Sequence, residues 1–207
     1  MAKIVCVDNG KTPDEPYNAR LGFWLPPDTP YGNSQLKLFK LSERIDELNR
    51  KIIEAYALWE RCISEQMLPP GVYHRHVFVL EQVVFLMRRA ADELIAFISC
   101  LNHWEQTKTY PKEIEIDCIG AFLEAKLENR PSVFQRHIPI MRMLNDIANA
   151  YKHSFINSDH TLLGRYEPCI HALGLKRNKL SAGAKFYNVS CAALVNGFNE
   201  LYQDAFG

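Results

Sequence analysis

Apolar residues recur at helical spacing along a long stretch in the first third of the chain. From Ser34 to Met67 the apolar positions alternate three and four residues apart, as they do on one face of an α-helix. They are Leu41, Ile45, Leu48, Ile52, Tyr56, Trp59 and Ile63. The pattern predicts a long amphipathic helix, and the Ser34 side chain is suited to cap its first turn.

A second long helix is predicted from His76 to Glu105, after the helix-breaking sequence Pro69-Pro70-Gly71. It is apolar on nearly every side, so we expect it to be the central element of a bundle. Arg89 and Glu93 have the spacing of an i,i+4 ion pair. The other polar residues form one narrow stripe: Glu81, Arg88, Asp92, Ser99 and His103.

The segment from Met141 to Phe155 carries the most regular polar stripe of the chain. Four polar residues line one narrow helical face at i, i+4, i+7 and i+11, namely Arg142, Asp146, Asn149 and His153. The opposite face is expected to join the core through Ile140, Leu144, Ile147, Tyr151 and Phe155. Pro139 suits the first turn of this helix, which we expect to end near residues 157–159.

The amino-terminal residues do not have a helical pattern. Residues 3–8 are rich in β-branched side chains and are followed by Asn9-Gly10, so they form a candidate strand that ends at a turn. Residues 11–33 contain five of the eleven prolines, with aromatic side chains between them. We expect an ordered arm over the bundle, and a partner-binding site built on these aromatics is the alternative.

The carboxyl-terminal part predicts a hairpin and a last helix. Residues 166–173 and 185–189 have strand character on either side of a basic connection, and Ser190 is suited to cap the helix that follows. Further upstream we expect a short loop or strand at 113–116 and a short helix at 117–127. The fold class predicted is mainly α: a bundle of long antiparallel helices with a Pro-rich amino-terminal arm and a small β-hairpin before the carboxyl-terminal helix.

The chain of 207 residues is expected to form one helical-bundle domain. Its predicted parts are the strand and arm at 1–33, the helical core at 34–157, the hairpin at 158–189 and the last helix at 190–207.

Charge and cysteine content limit the classes of partner and compartment. The 24 basic and 24 acidic residues cancel, so no whole-molecule field attracts the chain to nucleic acid or to a membrane surface. Six dispersed cysteines without a C-x-x-C pair are typical of reduced thiols, which favours a cytoplasmic protein. The longest apolar region, residues 77–101, contains five charged residues, and a membrane span is therefore not expected.

Motifs for cofactor, metal or nucleophilic chemistry are absent from the sequence. There is no G-x-S-x-G, Walker A or G-x-G-x-x-G motif. The only histidine with an acidic residue at helical spacing is His171, and Pro168 separates it from Glu167. We therefore expect no cofactor and no metal. His74 and His76 are interpreted as surface histidines at a helix start, and Cys100 with His103 as a buried thiol beside an imidazole at a helix end.

The two polar stripes raise a further alternative. They either face solvent as ordinary charged strips, or they meet across a polar groove that binds a partner. The candidate binding residues of such a groove are Asp146, Lys152, Arg88, Asp92 and His103. The basic hairpin connection could also touch phosphate groups, so RNA is a candidate partner.

The six residues from Ala148 to His153 read Ala-Asn-Ala-Tyr-Lys-His. With the layout of long helices, they resemble the HEPN superfamily, whose motif is Arg, then Asn or another polar residue, then three residues and His. The resemblance implies an all-α bundle, typically a homodimer. It also implies, as in many members, metal-independent RNA cleavage in toxin and defence systems, by Arg and His of both subunits.

This sequence departs from the family motif at one chemically important position. Asn149 and His153 match, whereas Ala148 replaces the arginine that would hold the scissile phosphate and stabilise its developing charge. Arg142 and Lys152 are the nearest substitutes for that cation. The departure favours a non-catalytic member over an active nuclease.

We therefore expect a non-enzymatic helical-bundle binding protein. It would be a catalytically degenerate HEPN-like component of a bacterial-type defence or toxin–antitoxin system, acting as a homodimer or with a protein partner. The alternative is a metal-independent endoribonuclease with His153 as general acid/base, Asn149 beside it and Arg142 or Lys152 as the cation. A third interpretation assigns no function, because Asn149 and His153 can simply pair on the helix surface, with His153 near the negative end of the helix dipole.

Overall fold

The computed structural model describes residues 3–11, 28–64, 71–155, 163–175, 178–179, 181 and 183–206. Five α-helices and one hairpin follow each other along these residues. They are α1 (Ser34–Ser64), α2 (Val72–Thr107), α3 (Ile119–Glu124), α4 (Ile138–His153), β1 (Cys169–Leu175), β2 (Ala184–Ser190) and α5 (Cys191–Ala205). Two short 3₁₀ turns, Leu127–Asn129 and Ser132–His137, lie between α3 and α4. The predicted fold class is confirmed, and the predicted Pro-rich arm falls mostly in 12–27, outside the described residues.

Helices α1 and α2 are antiparallel and form the centre of the bundle. Their facing apolar side chains are almost fully buried, including Ile45 and Ile52 of α1 and Val84 of α2. Two ion pairs link α1 to α2: Arg44 pairs with Glu93 at 2.9 Å and Arg75 with Glu54 at 2.8 Å. The helical periodicity of the sequence therefore identified the buried seam of α1, except at Ile63, which is 51% exposed.

The ends of these two helices differ from the prediction. Asn33, and not Ser34, caps α1, because its side-chain oxygen accepts a hydrogen bond from the Leu36 amide at 3.0 Å. Helix α2 begins at Val72, four residues earlier than expected, directly after Gly71 with a positive φ of 99°. Residues 65–70, which include the predicted end of α1, lie outside the described part of the chain.

The residues between α2 and α4 are mostly irregular. The candidate strand at 113–116 is a loop, and the predicted helix at 117–127 contains only the six residues of α3. The Cys118 thiol caps α3 by accepting from the Ala121 amide, and the Asp92 carboxylate accepts from the Ile119 amide at 2.8 Å. Extended backbone at Ala125 ends this helix after less than two turns.

Helix α4 ends at His153, earlier than the sequence suggests. Ser154 is extended, and the side chain of Asn178 then bonds both the His153 carbonyl (2.9 Å) and the Phe155 amide (3.1 Å). Phe155 consequently lies outside the helix and is 84% exposed, so its predicted place in the core was wrong. Leu144 and Ile147 occupy the core as predicted.

The amino-terminal segment is extended and packs on the bundle by its side chains and peptide groups. Val7 is buried, and its amide and carbonyl both bond the Asn49 side chain of α1 at 2.8 Å. Among the described residues it has no strand partner, and the strand expected there is therefore not formed. An asparagine side chain supplies the hydrogen bonds that a neighbouring strand would have supplied.

The hairpin and α5 close the fold. Strands β1 and β2 pair antiparallel from Cys169 opposite Ser190 to Leu175 opposite Ala184. The Ser190 hydroxyl accepts from the Ala193 amide at 3.0 Å, which confirms the predicted cap of α5. The strands begin and end within three residues of the predicted ranges.

Candidate binding face on helix α4 and the hairpin

The polar stripe of α4 faces away from the core at three of its four positions. Arg142, Asn149 and His153 are exposed, as is the neighbouring Lys152, whereas Asp146 is half-buried. The other side of the helix is held in the core by Met141, Leu144, Ile147 and Ala150. Helical periodicity thus separates the two faces as the sequence predicted.

Asp146 joins the stripe to the hairpin. Its carboxylate accepts a hydrogen bond from the Tyr187 hydroxyl and an ion-pair contact from the Lys185 ammonium at 3.1 Å. Burial raises the pKa of Tyr187 to about 12, with further contributions from the hydrogen bond to Asp146 and from its charge. The charge of Arg142 acts in the opposite direction on the pKa of Tyr187.

The tip of the hairpin is fastened to the carboxyl end of α4. Asn178 bonds the backbone on both sides of Ser154 through its amide group, and it does so with a positive φ of 54°. Asparagine tolerates this left-handed conformation better than most residues. Lys179, the next residue, is exposed beside this contact.

Beneath the exposed side chains, Tyr151 fixes β1 to α4. Its hydroxyl donates to the His171 carbonyl at 2.8 Å, and its ring meets Phe85 of α2 edge to face at 6.3 Å. Burial is the largest of the effects that raise the pKa of Tyr151, so the hydroxyl stays protonated as a donor. The hairpin is therefore held to α4 at three separate points, at Asp146, Tyr151 and Asn178.

These contacts produce one surface, which we call the α4 face: the exposed side chains of α4 together with Lys179 and Lys185 of the hairpin. Its cations are Arg142, Lys152, Lys179 and Lys185. Among these residues and their hydrogen-bond partners in the described part of the chain, the one carboxylate is Asp146, which already contacts Lys185. A chain without net charge thus carries a local positive surface, as charge separation over a fold permits.

The stripe on α2 has other contacts. Arg88 pairs with Asp92 and donates to the Asn145 side chain of α4 at 3.1 Å, while Asp92 accepts from the Ile119 amide. Burial lowers the pKa of Arg88, and the Cys118 thiol opposes this effect. These side chains join α2, α3 and α4, so the structure gives Arg88 and Asp92 intramolecular partners.

The two stripes have separate contacts in the described residues. No hydrogen bond or ion pair between them is found there, because Arg88 reaches α4 at Asn145 and Asp146 turns to the hairpin. His103 lies further along α2, where its carbonyl accepts from the Thr107 hydroxyl at 2.9 Å. Of the two alternatives, a groove between the stripes is not supported by these contacts, since the α4 stripe contacts the hairpin instead.

Tyr187 is a site residue that the sequence did not reveal, and Lys185, which belongs to the basic hairpin connection, has a partner that the sequence did not reveal. They alternate on β2, so both side chains lie on the same side of the strand. This alternation was visible in the sequence, but nothing in it identified Asp146 as their common partner 39 and 41 residues away.

The histidine pair at the start of α2 is a further correction. His74 is exposed as expected, but His76 is only 1% exposed, and its Nδ1 lies 3.1 Å from the Ala55 carbonyl oxygen. A helix start four residues earlier than predicted turns His76 towards α1.

The described residues contain neither a metal-binding cluster nor a membrane-spanning helix. No group of three His, Cys, Asp or Glu side chains there is arranged to hold a metal ion. Within the same residues, none of the helices has the length and apolar content needed to cross a membrane. Comparisons with family models, curated proteins and solved structures find no match for this chain.

Proposed function

We propose that this chain is a non-enzymatic binding protein whose α4 face contacts an anionic partner. The observation that carries the proposal is the exposure of Arg142 and Lys152 on α4 and of Lys179 and Lys185 on the hairpin that docks against this helix. Exposed cations beside hydrogen-bonding side chains such as Asn149 are suited to bind phosphate or carboxylate groups.

The charge of the α4 face also bears on the kind of partner. In a twofold dimer through this face, the same four cations of each copy would oppose each other, and that repulsion opposes association. RNA or an acidic protein surface is therefore favoured over a second copy at this position. A homodimer, as the HEPN-like resemblance implies, would use another part of the surface.

The test compares binding of a fluorescein-labelled single-stranded RNA of 20 nucleotides with that of a labelled polyglutamate peptide, by fluorescence anisotropy. The variant is Arg142→Glu, Lys152→Glu, Lys179→Glu, since all three side chains are exposed. We expect saturable binding of one probe to the wild type and about a hundredfold loss in the variant, because each phosphate contact contributes to the salt-dependent affinity.

A control of the same charge change is Lys3→Glu, Lys112→Glu, Lys126→Glu, in which the three exposed lysines lie outside the α4 face. It should bind like the wild type. Equal losses of affinity in both variants would show a general charge effect and would overturn the proposal. The proposal would also be overturned if the wild type bound neither probe.

A metal-independent endoribonuclease with His153 as general acid/base is the second candidate. It is supported by the exposure of both Asn149 and His153 on the α4 face. Against it stands Ala148, which is 5% exposed within the core and lies where the HEPN motif has arginine. Cleavage of the labelled RNA on a denaturing gel that disappears in His153→Ala would favour this candidate over the binding protein.

A further inference from the structure

A cavity of about 370 Å³ lies between the first half of α1 and the second half of α2. Leu38 and Leu41 of α1 line one side, and Phe97 and Leu101 of α2 line the other. Its volume is within the range of about 300–1,000 Å³ that small-molecule sites have. It is built from elements other than α4 and the hairpin, and is therefore separate from the α4 face.

The loop that follows α2 covers one end of this cavity. Tyr110 of the loop stacks on Trp104 with ring centroids 6.5 Å apart, and Tyr31 donates from its hydroxyl to the Pro111 carbonyl at 2.5 Å. Lys108, in turn, lies 4.7 Å from the Trp104 ring. These contacts hold the loop in place, so the cavity is formed before any ligand binds.

The rim of the cavity is positively charged. Lys37 and Lys40 of α1 and Arg89 of α2 contribute cations, and Glu93 is the carboxylate among the described lining residues. Glu93 is already occupied, because Arg44 donates to both of its oxygens at 3.0 and 2.9 Å and Arg89 donates at 3.0 Å. In this part of the structure neither Lys37 nor Lys40 forms an ion pair.

The Tyr110 side chain lines the cavity, but its hydroxyl is buried, and among the described residues it has no hydrogen-bond partner. Burial raises the pKa of the Cys100 thiol, and the Lys37 ammonium acts in the opposite direction on it. The pKa of Tyr110 is also raised, first by burial and then by Cys100. The lining thus offers the Lys37 and Lys40 ammonium groups to an anionic ligand.

We propose that this cavity binds a small anionic amphiphile, a molecule of the fatty-acid class with one carboxylate and an apolar chain. The chain lies between the leucines of α1 and the apolar side chains of α2, where its burial is favourable. The carboxylate lies near the ammonium groups of Lys37 and Lys40. The apolar lining and the cations of the rim each match one part of such a ligand.

Isothermal titration calorimetry with decanoate below its micellar concentration tests the proposal. We expect one decanoate to bind per chain. Decanol and decyltrimethylammonium should each bind at least about tenfold more weakly, since they lack the negative charge that the rim attracts. Lys37→Gln, Lys40→Gln should weaken decanoate binding by about tenfold for the same reason. The matched variant Lys3→Gln, Lys126→Gln, at two exposed positions, should bind decanoate like the wild type.

A second variant tests whether decanoate binds inside the cavity. Ala96→Leu fills the space between the two helices and should abolish decanoate binding, whereas Ala193→Leu, at an exposed position of α5, should leave it unchanged. Circular dichroism checks that both variants remain folded. The proposal is overturned if decanoate does not bind, if decanol binds as tightly, or if folded Ala96→Leu binds decanoate normally.

Discussion

At the scale of single residues, His76 shows how a buried polar side chain couples this fold to pH. Its Nδ1 faces the Ala55 carbonyl, which can only accept, so the proton of the neutral ring lies on Nδ1. The Nε2 atom is buried, and in the described structure it has no partner. A charged ring would leave an N–H group unsatisfied there, and the fold therefore favours the neutral form.

We predict that His76 makes the protein less stable in mild acid. Burial lowers the pKa of His76 to about 4 from its ordinary value of 6.5; the bond to Ala55 opposes this effect, and nearby His171 adds to it. The unfolded chain thus takes up the proton first. Stability from the neutral ring is complete above pH 6.5 and falls by about 3 kcal/mol as the pH approaches 4.

Urea denaturation at several pH values between 7 and 4 measures this effect. His76→Met introduces an apolar side chain of similar length that does not titrate. This variant should lose less stability than the wild type between pH 7 and pH 4. His74→Met is the matched control, because His74 is exposed. If the wild type and His76→Met lost stability in parallel, the assignment of the pH dependence to His76 would be incorrect.

At the scale of elements, the hairpin depends on α4 for its position. A two-stranded hairpin alone is marginally stable in water, so its contacts with the helix decide whether it remains formed. Asp146 receives both Tyr187 and Lys185, and Asn178 secures the tip. The α4 face consequently exists only while the hairpin is docked.

We predict that Tyr187→Phe loosens the docked hairpin. Removing the hydroxyl leaves the half-buried Asp146 carboxylate short of one donor, which should lower the free energy of unfolding by about 1–3 kcal/mol. Tyr166→Phe is a suitable control, because Tyr166 is 75% exposed. Hydrogen exchange should become faster in the β1 and β2 amides of Tyr187→Phe only.

A double-mutant cycle with Asp146→Asn tests whether the two residues act as a pair. We expect a coupling energy of about 0.5–3 kcal/mol, as for other residues in direct contact. Additive effects of the two substitutions would contradict the role assigned to this hydrogen bond.

At the scale of the whole molecule, the amino-terminal segment joins the beginning of the chain to its last helix. Val7 bonds Asn49 of α1, and the Asp8 amide donates to the Asn199 side chain of α5 at 2.8 Å. Gln203 of α5 donates to the Asp8 carbonyl. Side chains from two helices thus satisfy the backbone of a segment that is not in a sheet.

We predict that Asn49→Ala destabilises the whole domain. It removes two hydrogen bonds to the half-buried backbone of Val7 and should lower the free energy of unfolding by about 1–3 kcal/mol. Chemical denaturation followed by circular dichroism gives the value. Asn196→Ala, at an exposed position of α5, should change stability by about 0.5 kcal/mol or less. Equal effects of both substitutions would show that the segment adds nothing to stability.

The sequence by itself was sufficient for the helices, the hairpin and the side of each helix that faces the core. Periodicity is a local property of the sequence. Buried positions such as Ile45 and Leu144 recur along their helices at a spacing that the sequence alone predicts. The Ser190 cap was predictable for the same reason, since donor and acceptor are three residues apart. The exposed stripe of Arg142, Asn149 and His153 follows from the same periodicity.

Contacts between residues far apart in the chain depended on tertiary structure. Spacing indicates which side of an element is covered, but not which element covers it. The nearest of these partners are 39 residues away for Asp146, 23 for Asn178 and 21 for His76. For that reason the α2 stripe joined helices instead of forming a groove, and α4 ended at His153. The α1/α2 cavity likewise arises only where two helices and a loop meet.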